Sequence, residues 1–467
     1  MNGTLTSLRG VLRIMAVIAC GAQVLSAQVP VPVAVPLRAY AQGFREPVRL
    51  ATDGAGRLFV ADPRLGLITV RDESGHLLAV KRGLSRPLGV AVDGAGRIFV
   101  CEAGKGRVAI FTSEWVPAGY LGQGEGEFQM PNHLQITADG TVFVVDSTAG
   151  LVKVYGPDNQ LARQFGGPGR LDGQFSFPTG LVVTPQGEVF VSDQGNERVQ
   201  VFTLAGTFLR KFGGTVGMLG NNTAYGRVQG LLADAQGRIY LADSYRGVVK
   251  VVDGAGTSIA SIGAFGTGPG QLSGPASLVL DRNNRLFVAT AGNARIEVFG
   301  LDAYTDPAPI VFADATVTPA EWQRKAAPEV DGGPEADLQE PPTPDRFRWE
   351  GGQASQHARG LARAAANRNQ RPGLVAVLLK VPGLTLSQIQ VGSITANGLR
   401  AAVVPGAYIG DFDGDGTFEF RAWFDHNRLL ATMPDGEAFL VVSGRLTDGR
   451  SFESIADVRV LPAGGVQ

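Results

Sequence analysis

Three carboxylates alternate with other residues in one short run, Asp411-Phe412-Asp413-Gly414-Asp415-Gly416. Acids at every second position, with glycines that let the backbone wrap sharply, can converge on one hard cation. Calcium accepts oxygens in irregular geometry, so the run is a candidate calcium loop. The seventh position, Thr417, would add its carbonyl and the ninth, Glu419, its side chain, with Asp425 nearby. The run departs from the helix–loop–helix calcium hand in two ways. Its twelfth position is Ala422 where a bidentate Glu is needed, and a strand-like stretch follows in place of a helix. The expected role is structural, fastening a loop of a small domain; the competing reading is a plain acidic turn.

Other residues with chemistry take their meaning from a repeat. Six copies of one pattern begin at Pro47, Pro87, Pro131, Pro178, Val228 and Pro275, at spacings of 40 to 50 residues. Each holds short runs of Val, Ile, Leu and Phe closed by Asp-Gly, Gln-Gly or Asn-Asn turns, which reads as strands and hairpins. Several strands per repeat, repeated six times, suit a ring of blades. The expected fold is all-β: a six-bladed β-propeller over 38–300, followed by a small C-terminal Ig-like β-sandwich over 373–467. Before the first repeat, PLRAYAQGF (36–44) looks like an outer strand, and the sixth repeat shows only three strands. The N-terminal segment is therefore expected to complete the last blade and remove an open edge.

The repeats resemble the NHL family of β-propellers. The carriers are the Gly-rich approaches FGGPGRLDGQFSFPTG (165–180) and IGAFGTGPGQLSGPAS (262–277), and the stretch SDQGNERVQVF (192–202). TAGNARIEVF (290–299) follows the same pattern with Thr290 in place of the acid. The resemblance implies the fold; NHL propellers serve as binding scaffolds and as enzymes, so it leaves function open. The C-terminal segment resembles a module of bacterial secreted proteins, with Ile409-Gly410 leading into the acidic run and Phe424-Asp425 closing the strand after it.

In a ring of blades the innermost strands line a channel. The residues after each blade opening form its mouth: Arg49, Leu88, Asn132, His133, Thr179, Gln229 and Ser277. Arg49, Asn132, His133 and Gln229 are the candidate ligand-binding residues. Six-bladed lactonases hold a metal in this place with converging carboxylates and amides, and this mouth offers amides and one histidine. The acids that end the second strand (Asp62, Glu102, Asp146, Asp193, Asp243) recur blade after blade. Recurrence marks a turn cap whose carboxylate accepts backbone N–H groups rather than a catalytic ring. No nucleophile elbow, phosphate loop, zinc spacing or haem motif occurs. The expected function is non-catalytic binding of a protein, peptide or glycan on the loops 122–131, 166–178, 213–228 and 263–275. The alternative is a channel enzyme of the lyase or lactonase type.

The formal charge of −1 over 467 residues gives no general attraction to nucleic acid. Residues 1–27 read as a secretory signal: Arg9 and Arg13, the apolar run 14–25, and cleavage after Ala27. Val17-Ile18-Ala19-Cys20 also resembles a lipobox, with Cys20 as the lipid anchor. Either way the expected location is extracytoplasmic: secreted or periplasmic, or an outer-membrane lipoprotein with no transmembrane span. Residues 28–37 are expected to be an extended spacer, and 301–372, rich in Pro, acids and Arg, a flexible linker.

Overall fold

A computed structural model describes residues 29–213, 226–306, 311–312, 314–318, 321–323, 374–380, 388–401, 409–410, 419–433 and 435–461. The expected signal segment 1–27 and its Cys20 lie outside these residues, as do most of the expected linker and residues 411–418. Six four-stranded antiparallel sheets form the propeller. The fourth blade shows the plan: Pro178–Val183 innermost, then Glu188–Asp193, Arg198–Thr203 and Phe208–Gly213 outermost. Strands of four to seven residues suffice because each is paired along its length and the turns between them are tight. The innermost strand of each blade contacts those of both neighbours, and the first contacts the sixth, so the ring is closed.

The closing strand comes from the N-terminus. Ala34–Tyr40 pairs antiparallel with Arg295–Leu301, Ala34 opposite Leu301 and Tyr40 opposite Ile296, as the fourth strand of blade six. The strand starts earlier than its sequence indicated, so the last residues of the expected spacer 28–37 belong to the sheet. Pro36 and the register shift beside it fall on the outermost edge, where a missing N–H costs no ladder bond.

Apolar residues on both faces of each blade pack in wedges between neighbours. Phe59, Ile68, Val90 and Phe111 fill the wedge of blades one and two. Tyr40, Leu58, Phe287 and Val298 fill the seam between blades six and one. Burial on both faces explains why the strands read as continuous apolar runs rather than alternating ones. At roughly 25 cal/mol per Å² of buried apolar surface, these wedges are the main stabilising term.

The C-terminal strands form two facing sheets. One contains Ser451–Leu461, Gly436–Leu446, Ile389–Ala396 and Leu399–Arg400; the other contains Asp314–Thr318, Leu374–Lys380, Glu419–Asp425 and Ile409–Gly410. Val377, Leu379, Phe420 and Phe424 face Leu440, Val442, Val458 and Val460 across one core. The linker boundary needs correction. Val311–Phe312, Asp314–Thr318 and Glu321–Gln323 are strands of this domain, within the span expected to be linker. Their pairing partners lie far along the chain, which no local composition signals. A six-residue helix, His426–Ala431, also follows the Glu419–Asp425 strand.

Candidate functional site

Arg49 opens the innermost strand of blade one and is only 3 % exposed. Its guanidinium reaches across the ring. Nη2 donates to Asn132 Oδ1 (2.9 Å) and to the Thr179 carbonyl (3.1 Å), and Nε to the Leu88 carbonyl (3.5 Å). One side chain of blade one thus ties blades two, three and four. Burial lowers its pKa to about 10, still far above neutrality, so it is a cation set among neutral acceptors.

The other mouth residues are stitched into neighbouring strands. His133 Nδ1 accepts the Leu181 N–H (2.9 Å), and two residues on, Gln135 Oε1 accepts the Val183 N–H (2.7 Å). Burial, and then the charge of Arg49, hold the His133 imidazole well below the usual histidine range, so the ring is neutral. Thr179 Oγ1 donates to the Val228 carbonyl (3.2 Å), and Ser277 Oγ accepts the Leu50 N–H (3.1 Å). Of the four predicted residues, the structure brings Arg49 and Asn132 into contact and places His133 beside them. No hydrogen bond among the described residues joins Gln229 to the set. The Gln229 carbonyl packs against Gly180, where a Cβ would come within 2.4 Å, so only glycine fits there. No group of three or more His, Cys, Asp or Glu among the described residues is arranged to hold a metal.

The repeated acids cap the loops that enter their own blades. Asp62 Oδ2 accepts Arg45 N–H and Glu46 N–H, and the two oxygens of Asp146 accept Gln129 N–H and Met130 N–H. Asp193 accepts Ser176 N–H (2.7 Å) and pairs with Arg198 (2.7 Å). Blade six, where Thr290 replaces the acid, carries a compensation that sequence reading missed. Glu297, at the place of Gln200 in blade four, pairs with Arg295 (2.5 Å) and accepts Gly270 N–H (3.1 Å), as Gln200 accepts Gly173 N–H (2.9 Å).

These caps make the inter-blade loops rigid. In 166–178, Arg198 Nη2 donates to the carbonyls of Leu171 (2.8 Å) and Gln174 (2.9 Å), and Asn196 Nδ2 to that of Gly169 (3.0 Å). In 263–275, Asn293 Nδ2 holds the Gly266 carbonyl (3.0 Å) and Arg295 Nη1 the Thr267 carbonyl (2.7 Å). The pinned backbones hold apolar side chains outward: Leu171 is 71 % exposed, Phe177 46 % and Phe265 69 %. Tyr245, in the turn between the second and third strands of blade five, is 76 % exposed. Strand order puts these inter-blade loops and second-to-third-strand turns at one face of the ring. Other exposed apolar residues, such as Val116 and Leu204, sit singly in turns of the opposite face.

Phe177 also has φ +54°, a left-handed conformation that costs a non-glycine residue about 1 kcal/mol. Arg86 before Pro87, with φ +51°, and Gly274 before Pro275, with φ +59°, share this conformation, so it belongs to the repeat. Residues 214–225, most of the longest predicted loop, lie outside the described residues.

For the expected calcium ligands, Asp411, Asp413, Asp415 and Thr417 lie outside the described residues. Glu419 is buried, opens a strand opposite Gly410, and pairs with Lys380 (3.2 Å). Asp425 caps the helix that follows it, accepting Arg428 N–H (2.9 Å).

A family model for the NHL repeat matches residues 175–202, the end of the entry loop and the first three strands of the fourth blade. No curated protein matches the sequence. Among solved structures, a gluconolactonase from Xanthomonas campestris shares 20 % identity, covering 58 % of this chain and 98 % of its own at a TM-score of 0.45. A virginiamycin B lyase from Staphylococcus aureus shares 10 %, covering 58 % and 100 % at 0.42. A protein of unknown function from Bacteroides thetaiotaomicron shares 15 %, covering 58 % and 76 % at 0.48.

Proposed function

We propose that this NHL-type propeller is an extracytoplasmic, non-catalytic binding protein whose loop-bearing face takes an extended peptide, a protein segment or a glycan. The observation that carries the reading is the set Leu171, Phe177 and Phe265 on hydrogen-bonded inter-blade loops and Tyr245 on a blade-five turn: all exposed at one face of the ring. Aromatic side chains on a fixed backbone give large contact area at low entropic cost, whether to a peptide or to the apolar face of a sugar.

Channel chemistry of the lyase or lactonase kind is the competing reading. A guanidinium across the channel, tied to three other blades, opposes a divalent cation at the place such hydrolases need one. The calcium loop at 411–416 and the export segment, cleaved after Ala27 or acylated at Cys20, complete the proposal. The test is a glycan and peptide array probed with the mature protein and with a Phe177→Gly, Tyr245→Ala double variant. The expected result is a ligand class bound by the parent and lost in the variant. Lactone hydrolysis abolished by chelator and restored by a divalent metal would overturn the reading.

A further inference from the structure

The C-terminal domain is docked on the seam of the ring. In Ser451–Leu461 side chains alternate: Phe452, Ala456, Val458 and Val460 enter the domain core, and the odd-numbered residues point away from it. Asp457 and Arg459 are accordingly exposed, yet Glu453 and Ile455 on that outer face are buried. So is Phe439 on the paired strand. What covers them is blade one. Ile455 and Phe439 pack with Leu67, Leu65, Leu77 and Val80, and Arg82 lies over the Phe439 ring at 4.8 Å.

Glu453 enters a socket made by the propeller alone. Arg71, fully buried, lies near the rings of Phe44 (5.3 Å) and Tyr40 (5.8 Å) and donates to the carbonyls of Gly75 (2.7 Å) and Gln42 (2.9 Å). The Glu453 carboxylate stands 3.7 Å from Arg71 and accepts the Leu77 N–H at 3.2 Å. Within this socket Glu453 is the nearest carboxylate to the Arg71 charge. The remaining contacts fall on the chain that leaves the closing strand. Gln42 Oε1 accepts the Ile455 N–H (2.8 Å), Arg45 pairs with Asp457, and Gly43 faces the Ile455 side chain.

We infer that the Arg71 socket with its apolar margin is a docking site for an extended strand presenting a carboxylate two residues before a branched aliphatic. The C-terminal domain fills it in cis and so latches the closed ring. Residues 42–45 are gripped by that domain directly after Ala34–Tyr40 has paired with blade six. Release of the closing strand therefore requires undocking as well as loss of its own ladder.

The test uses the full mature chain with Ile455→Asp, and with Glu453→Gln, which keeps an acceptor for Leu77 N–H and removes the charge. Undocking is read by small-angle scattering and seam opening by hydrogen exchange of peptides within 34–44. The expected result is an enlarged radius for Ile455→Asp and exchange at 34–44 faster by about tenfold, as local opening becomes easier. A smaller change of the same sign is expected for Glu453→Gln. Protection of 374–380 reports whether the domain stays folded; where Ile455→Asp loses it, Glu453→Gln decides. Parent-like exchange at 34–44 in the deciding variant overturns the latch, whether or not the radius grows.

Discussion

His133 accepts the Leu181 N–H through Nδ1, so the proton of its neutral ring belongs on Nε2. A protonated ring could not accept that bond, and Arg49 would repel it. The folded state therefore refuses a proton that the unfolded chain takes up near its ordinary value of 6.5. A histidine with a depressed pKa costs stability as pH falls below the unfolded value, so the propeller should melt at lower temperature as pH drops below about 6.5. His133→Gln should flatten this slope, since Gln135 already shows that an amide can accept from the neighbouring strand. Calorimetry between pH 7.5 and 5 checks it. At Phe177, glycine would relieve left-handed strain worth about 1 kcal/mol while adding a similar unfolded-state entropy, so Phe177→Gly should stay within about 1 kcal/mol of the parent. Ligand binding should nonetheless fall, which separates a recognition role from a structural one. Sequence brought the mouth residues together because each follows a blade opening. It did not show that His133 and Thr179 are spent on neighbouring strands, since the reach of a side chain across the ring depends on three-dimensional register.

Asp193 shows why an element needs its acid. The carboxylate is buried, holds the entry loop through Ser176 N–H and neutralises Arg198, itself almost buried. Asp193→Ala leaves that arginine only the half-exposed Asp172 carboxylate at 3.6 Å and frees the entry-loop N–H, and should cost about 2–3 kcal/mol, read by denaturant unfolding. The closing strand is an element of a different kind. Deleting the chain up to residue 46 bares the Arg295–Leu301 edge and removes Tyr40 and Phe44 from the seam, so that protein should melt lower and scatter light on warming. A melt matching the parent would refute the ring closure described above. Blade strands were legible because turns punctuate apolar runs at even spacing. The strands within 311–323 were not, being two to five residues long and paired with strands far along the chain. The six-residue helix His426–Ala431 was too short for a helical period to emerge.

At the scale of the molecule, the two domains and their order could be read from repeat and composition, but their contact could not. Glu453 and Ile455 look like solvent-facing strand residues in any local window, and only the mate surface on blade one explains their burial. The acidic run makes a separate prediction for the full chain. Three acids close together repel one another, and a bound cation relieves that repulsion. Calcium should raise the melting transition of the C-terminal domain in a concentration-dependent way, and Asp411→Asn with Asp413→Asn should remove most of the response. Identical melts in chelator and in millimolar calcium would reduce the run to an acidic turn.

Pairing the first strand with the last blade also sets an order of events in time. Ala34–Tyr40 is made before any blade, but its partner Arg295–Leu301 emerges about 260 residues later, and at roughly 5–20 residues per second that is a wait of many seconds. During synthesis the nascent ring is an open arc, with one strand searching and one edge bare. Closure is then a late step of high contact order, and the interval before it is when aggregation competes. Pro30, Pro32 and Pro36, in and just before that waiting strand, are poor templates for pairing with another chain. The same residues that sit quietly on the finished edge guard the unfinished one.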